Sequence, residues 1–304
     1  MQARAHRQIE DFLQSLRVER HCSSHTQQAY QRDLRKLAGF CTAAGIDHWA
    51  RLDAAQVRRY ASERHRRGIS ARTLQRELSA FRRFFHWLVS NGELKYNPAA
   101  DVRAPKAARH LPEILDVDLT QHLLNADPGS PIEVRDHALL ELFYSAGLRL
   151  SELAALNRQD LDLKAGLVEV IGGKGGKDRR LPVGKQARKA LARWLELRET
   201  LAPPRENALF LTLQGRRMGV RGIQKRVRHW ARKQGVDVNL HPHMLRHAFA
   251  SHLLESSHDL RAVQELLGHE DIGTTQIYTH LDYQHLADIY DKAHPRAQKK
   301  KTRA

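Results

Sequence analysis

Cysteine is almost missing from this chain. Cys22 and Cys41 are the only two among 304 residues, too few for a disulfide framework. They read as reduced thiols of a cytoplasmic protein, with Cys41 on the apolar stripe of a helix. Also missing is any apolar run of about 18 residues, so no segment is long enough to span a bilayer as a helix. The start, "MQARAHRQIEDFL", sets acids directly after its basic residues and lacks a signal-peptide pattern. Acidic side chains are outnumbered, 34 Asp and Glu against 51 Lys and Arg, a net charge of +17. An excess of that size points to a polyanionic partner, nucleic acid before a membrane surface. There is no internal repeat.

What is present is enough for about two domains. Up to residue 108 there are 20 Lys and Arg against 10 Asp and Glu, and beyond it 31 against 24. Both halves are basic, so the charge is not a tail effect. The first half reads as helices. Ile9, Phe12, Leu13 and Leu16 recur at helical spacing, as do Tyr30, Leu34, Leu37 and Cys41. Ser70 is the expected N-cap of a third helix with Leu74, Leu78, Phe81, Phe85 and Leu88 on one stripe and Asn91-Gly92 as its stop. Arg72, Arg76, Arg82 and Arg83 lie largely off that stripe, as a solvated face or as phosphate contacts. "YNPAADVRAPKAARHLPE" (96–113) has three prolines and no helical period, a linker that places the domain boundary near residue 108.

The second half mixes types. "EVRDHALLELFYSAG" (133–147) predicts a helix closed by Gly147, and "LRLSELAALNRQDLDL" opens another. "GLVEVIGGKGGKDRRLPVG" (166–184) predicts a β-hairpin around a lysine-bearing glycine loop. "ARKALARWLELRETL" is a helix, "NALFLT" a short strand, and from "IQKRVRHWARKQG" the chain is helical again. The sum is a mostly helical α+β domain with a small antiparallel sheet. The "KKKTRA" end reads as a basic arm.

Four stretches could carry chemistry. "GGKGGKDRR" is not a P-loop, because no glycine stands five positions before Gly176 and Asp178 follows Lys177. It reads as a hairpin tip, solvated or reaching into bound nucleic acid. In "HPHMLRHAFASHLLE", His243 and His247 have a zinc-compatible spacing but lack the glutamate of the zinc-protease pattern. The other reading sets His243 and Arg246, one turn apart, on one anion. Arg149 opens a helix after a glycine turn, a place for a structural arginine or for a phosphate. In "LLGHEDIGTTQIYTH", Tyr278 stands nine residues after His269. A phenol of ordinary pKa near ~10 attacks poorly unless neighbours activate it.

Taken in order, an Arg in "GLRLSEL", a Lys in "GKGGKDR", "HxLRH", "LLGH" and the later Tyr resemble the tyrosine recombinase (phage integrase-like) family. The resemblance spans nearly the whole chain. "LSAFRRFFHWLVSNGELKYNPA", "APKAARHLPEILDVD" and "LGHEDIGTTQIYTHLDYQHLADIYDKAHPRA" are similar to its bacterial chromosome-dimer resolvases. XerD-type resolvases and phage or integron integrases stand as alternatives within the family. Two readings stand outside it: a non-catalytic DNA-binding protein, and a metal-dependent nuclease, which lacks paired carboxylates near the histidines.

The resemblance implies a multidomain tyrosine recombinase fold. An all-α, four-helix, SAM-like DNA-binding domain (1–108) would precede an α+β catalytic domain (109–304), the two closing on duplex DNA as a C-shaped clamp. It makes Tyr278 the nucleophile that forms a 3′-phosphotyrosine, and Arg149 and Arg246 the clamps on the scissile phosphate. Lys174 becomes the general acid, with Lys177 the alternative because two glycines precede Lys174 where one is usual. His243 would help move the tyrosine's proton and His269 would touch the phosphate. The helix of Arg72, Arg76, Arg82 and Arg83 becomes the candidate for major-groove entry. No cofactor and no metal are implied. The implied partners are double-stranded DNA with a dif-like site, a XerD-like recombinase in a cyclic heterotetramer, and an FtsK-like DNA translocase. The helix around "YQHLADIYDKAH" would dock into a neighbouring protomer, so removing residues 285–304 should spare DNA binding and disturb cleavage control.

Overall fold

The computed structural model describes residues 2–19, 24–106, 115–172, 178–236, 240–268, 289–290 and 292–297. They divide into two compact units, Met1–Leu111 and Pro112–Ala304.

The first unit holds α1 (Gln2–Glu19), α2 (Ser24–Ala43), α3 (Ala54–Arg66) and α4 (Ala71–Ser90). Asp53 and Gln56 cap α3 reciprocally. Ser70 caps α4 by accepting from Thr73 N–H, and Gly92, in the left-handed region, follows its end. The expected stripe of α4 is buried throughout, and Phe12, Trp49, Tyr60 and Phe84 complete an aromatic core around it. Glu77 is buried on the same helix. Burial alone would raise its pKa, but hydrogen bonds from Arg64 (2.7 Å) and Lys36 (3.0 Å) hold it below the usual carboxylate range. The Tyr60 hydroxyl donates to it as well, at 3.0 Å.

Two of the four arginines on α4 have internal partners. Arg82 donates to the carbonyls of Ala99 (3.2 Å) and Val102 (2.6 Å), which fastens the turn after α4 onto the helix. Arg76 is paired with the buried carboxylate of Asp33 on α2. Both guanidiniums therefore also tie the unit together, each answering an acceptor inside the fold. Arg72 is exposed and Arg83 half-buried.

The second unit is built on α6 (Pro131–Ala146), which packs against α8 (Lys185–Leu201), α10 (Pro242–Ser257), α5 (Val117–Asn125) and α9 (Val220–Lys233). Leu139, Leu140, Leu142, Phe143 and Tyr144 are successive or near-successive and all buried, as a helix surrounded on every side requires. Two further helices complete the unit, α7 (Leu150–Ala155) against α9 and α11 (Leu260–Leu267) against α10. The sheet is β1 (Leu161–Asp162), β2 (Leu167–Val170) and β3 (Arg179–Pro182), antiparallel in that order, with Val168 opposite Leu181 and Val170 opposite Arg179.

The stretch "NALFLT" is not a strand. It makes single bridges, Asn157 with Ala208 and Leu211 with Arg217. Side chains take the carbonyls that a neighbouring strand would use: Arg198 donates to Ala208 O, Trp194 to Leu209 O and Arg135 to Leu211 O. The apolar run is buried, and three of its carbonyls are satisfied by side chains from helices.

The C-terminal segment expected to reach a neighbouring protomer has described residues inside its own unit. Tyr290 is buried and its hydroxyl meets Ser145 Oγ at 2.6 Å. Arg296 is paired with the buried Glu141 and donates to Asn125 at 2.6 Å. His294 is fully buried among Tyr144, Phe249 and Tyr290, and burial pulls its pKa down to about 3, so it is neutral. These side chains complete the core of the chain that carries them. Among the described residues, no helix is long and apolar enough to cross a membrane, and no three His, Cys, Asp or Glu gather as a metal site.

Candidate active site

Arg149 and Arg246 are anchored on one patch, where two helices end. The last carbonyls of a helix lack internal partners and carry partial negative charge. At the end of α6, Gly147 takes the left-handed C-cap conformation, φ +56°. At the end of α11, Gly268 does the same, φ +64°. Arg246, on α10, donates to Gly147 O and, at 2.7 Å, to Leu267 O. Arg149, the N-cap of α7, donates to Gly268 O at 3.1 Å. Arg246 thus bridges the two helix termini, and Arg149 is held at the second of them.

Gly147 is required for a second reason. A Cβ there would lie 2.3 Å from Phe249 Cδ1. Phe249 is on α10, three residues beyond Arg246, so the close approach of α6 and α10 sets the reach of Arg246 onto Gly147.

Glu152 organises the other side of the patch. At the third position of α7 it accepts from Arg149 N–H (2.7 Å) and from Arg149 Nη1 (2.8 Å). Arg179, the first residue of β3, grips the same carboxylate with both terminal nitrogens, at 3.0 and 2.7 Å. Burial would raise the Glu152 pKa, but the donors from Arg179 and Arg149 outweigh it and hold the carboxyl down at about 2. Arg246 is pushed the other way for a cation, to about 10, by burial first and then by the nearby Arg149 charge. At neutral pH all three arginines are charged and Glu152 compensates part of that charge.

His243 lies on the first turn of α10, exposed, with its ring centroid 6.2 Å from that of His241. Burial of part of the ring, and then the nearby His241, His247 and Arg246, lower its pKa. A neutral imidazole can accept a proton. Lys174, its alternative Lys177, His269 and Tyr278 lie outside the described residues.

A search of known families matches residues 113–285 to the phage integrase family and residues 9–92 to the phage integrase N-terminal SAM-like domain. The chain belongs to the phage integrase family. It is 52% identical over 296 residues to the tyrosine recombinase XerC of Shigella flexneri, across 97% of this chain and 99% of that one. Identity to the XerC of Xanthomonas campestris pv. campestris is 52% over 293 residues, 96% of this chain and 90% of that one. A crystal structure of the site-specific recombinase XerH, bound to a palindromic difH substrate after cleavage, has the same fold. Its TM-score is 0.68 at 24% identity, covering 94% of this chain and 84% of that one. The chain is a site-specific tyrosine recombinase of the kind to which the XerC proteins belong.

Sequence reasoning passed over Glu152 and Arg179 as site residues. Glu152 had a signal: it stands three positions after Arg149, the spacing of a capping box. Arg179 had none, since one arginine in "GKDRR" looks like its neighbour until the strand pairing turns it inward.

Proposed function

We propose that this recombinase cuts and rejoins duplex DNA at a dif-like site through a 3′-phosphotyrosyl intermediate. It would work beside a XerD-like partner in a cyclic heterotetramer, under an FtsK-like translocase, to resolve chromosome dimers. The observation that carries the chemistry is the pair of guanidiniums, Arg149 and Arg246, fixed on the carbonyls of Gly147, Leu267 and Gly268. Attack on a phosphodiester adds negative charge to its non-bridging oxygens. Guanidiniums positioned in advance stabilise that charge with no reorganisation at the moment of reaction.

In this reading Tyr278 Oη attacks phosphorus as its proton passes toward neutral His243. The bond to the 5′ oxygen breaks, Lys174 protonates the leaving oxygen, and His269 contacts the phosphate. The resulting ester keeps the bond energy, so a 5′-hydroxyl from another duplex can reverse the step without a nucleotide cofactor. Protonation of the leaving group contributes on the order of 10²–10⁴-fold. The exposed Arg72 and the half-buried Arg83 supply phosphate contacts from the first unit.

The test is a covalent trap. The protein, with its partner recombinase, is mixed with a nicked duplex carrying the recombination site and resolved on a denaturing gel. A slow band that survives chelator and vanishes in Tyr278→Phe supports the reading. Site-specific binding without any band leaves a DNA-binding protein, and a band persisting in Tyr278→Phe reassigns the nucleophile.

A further inference from the structure

Arg179 binds one of the two groups that hold Arg149 and lies beside the other. Its two terminal nitrogens grip Glu152 at 3.0 and 2.7 Å, and Glu152 in turn binds Arg149 through backbone and guanidinium. Its Cδ, Nε and Cζ lie 3.5–3.6 Å from where a Gly268 side chain would begin, and Gly268 O accepts from Arg149 Nη2. The Arg179 side chain is 8% exposed. Its Nε is buried with no hydrogen-bond partner, an arrangement that costs stability. A plain structural role is therefore poorly served by this arginine.

We infer that Arg179 is a positioning residue for strand cleavage: from the base of the hairpin it fixes Glu152 and the Gly268 turn, and through them aims the Arg149 guanidinium at the scissile phosphate. It acts through Arg149 rather than on the phosphate itself, its side chain being 8% exposed against 24% for Arg149. The inference rests on the phosphate-clamp role proposed for Arg149. It assigns β3 a part in the clamp.

A substrate whose charge demand is removed separates aiming from scaffolding. Single-turnover cleavage is measured at saturating DNA on two nicked duplexes, one with the natural scissile phosphate and one with a methylphosphonate there, which lacks one anionic oxygen. On the natural duplex Arg179→Gln is expected to slow adduct formation roughly 10²-fold, the scale of a clamp misplaced by about an ångström. On the methylphosphonate the gap between wild type and variant should shrink to within a few fold, as it should for Arg149→Gln. An equal defect on both duplexes, or no defect on either, overturns the inference. If Arg179→Gln does not fold by thermal melting, Arg179→Lys, which keeps the charge but loses the two-nitrogen grip, carries the same comparison. Failure of the underlying reading looks different, because wild type itself then forms no Tyr278-dependent adduct.

Discussion

At the scale of single residues, the site is an exercise in holding like charges together. Glu152 is the compensating anion, and its depressed pKa links it to stability. A carboxylate lowered in the folded state stabilises fully above its unfolded pKa and loses that contribution as pH falls. For Glu152 the window runs from about 4.5 down to about 2, worth on the order of 3 kcal/mol. Urea unfolding followed against pH should show this acid limb, and Glu152→Gln should flatten it. The arginines of α4 separate by a different measurement. Arg72→Ala and Arg83→Ala should each lower the slope of log affinity against log salt by about 1. Arg82→Ala should leave the slope alone and lower the melting temperature, since it releases the Ala99 and Val102 carbonyls.

At the scale of elements, helix ends do the positioning. Gly147→Ala should cost about 1–3 kcal/mol by overpacking against Phe249, with added strain at a positive φ. It should also slow cleavage more than it weakens DNA binding, because Arg246 leans on the same residue; chemical denaturation and single-turnover kinetics would separate the two effects. Much at this level was legible in the sequence. Ser70 and Gly147 were found because caps are local, and the stripe of α4 because one apolar face repeats at the helical period. "NALFLT" misled because a buried apolar run looks like a strand whether a strand or a set of side chains takes its carbonyls. The internal partners of Arg76 and Arg82 were not legible, because an off-stripe arginine shows its charge in sequence but not the acceptor it answers.

At the scale of the whole molecule, the ordering of Arg, Lys, His-x-x-Arg, His and Tyr was legible as a family pattern, whereas Arg179, which ties into the clamp through Glu152, is placed by tertiary contact. The described residues of the C-terminal segment contribute to the core of their own unit. Arg296→Ala should destabilise the protein by on the order of 3–5 kcal/mol, since it strands Glu141 in the core without its charge partner. Removing residues 289–304 should lower the melting temperature outright, which a thermal scan of the truncated chain would show. Loss of cleavage control in such a truncation is to be interpreted only after that stability loss is measured.

The arginines rest on Leu267 and Gly268, the last two residues before His269 in the chain. The stretch that supplies their footing runs on in sequence to Tyr278, the nucleophile of the proposed function. On that reading a pull on the end of α11 would bear on the clamp and on the nucleophile together.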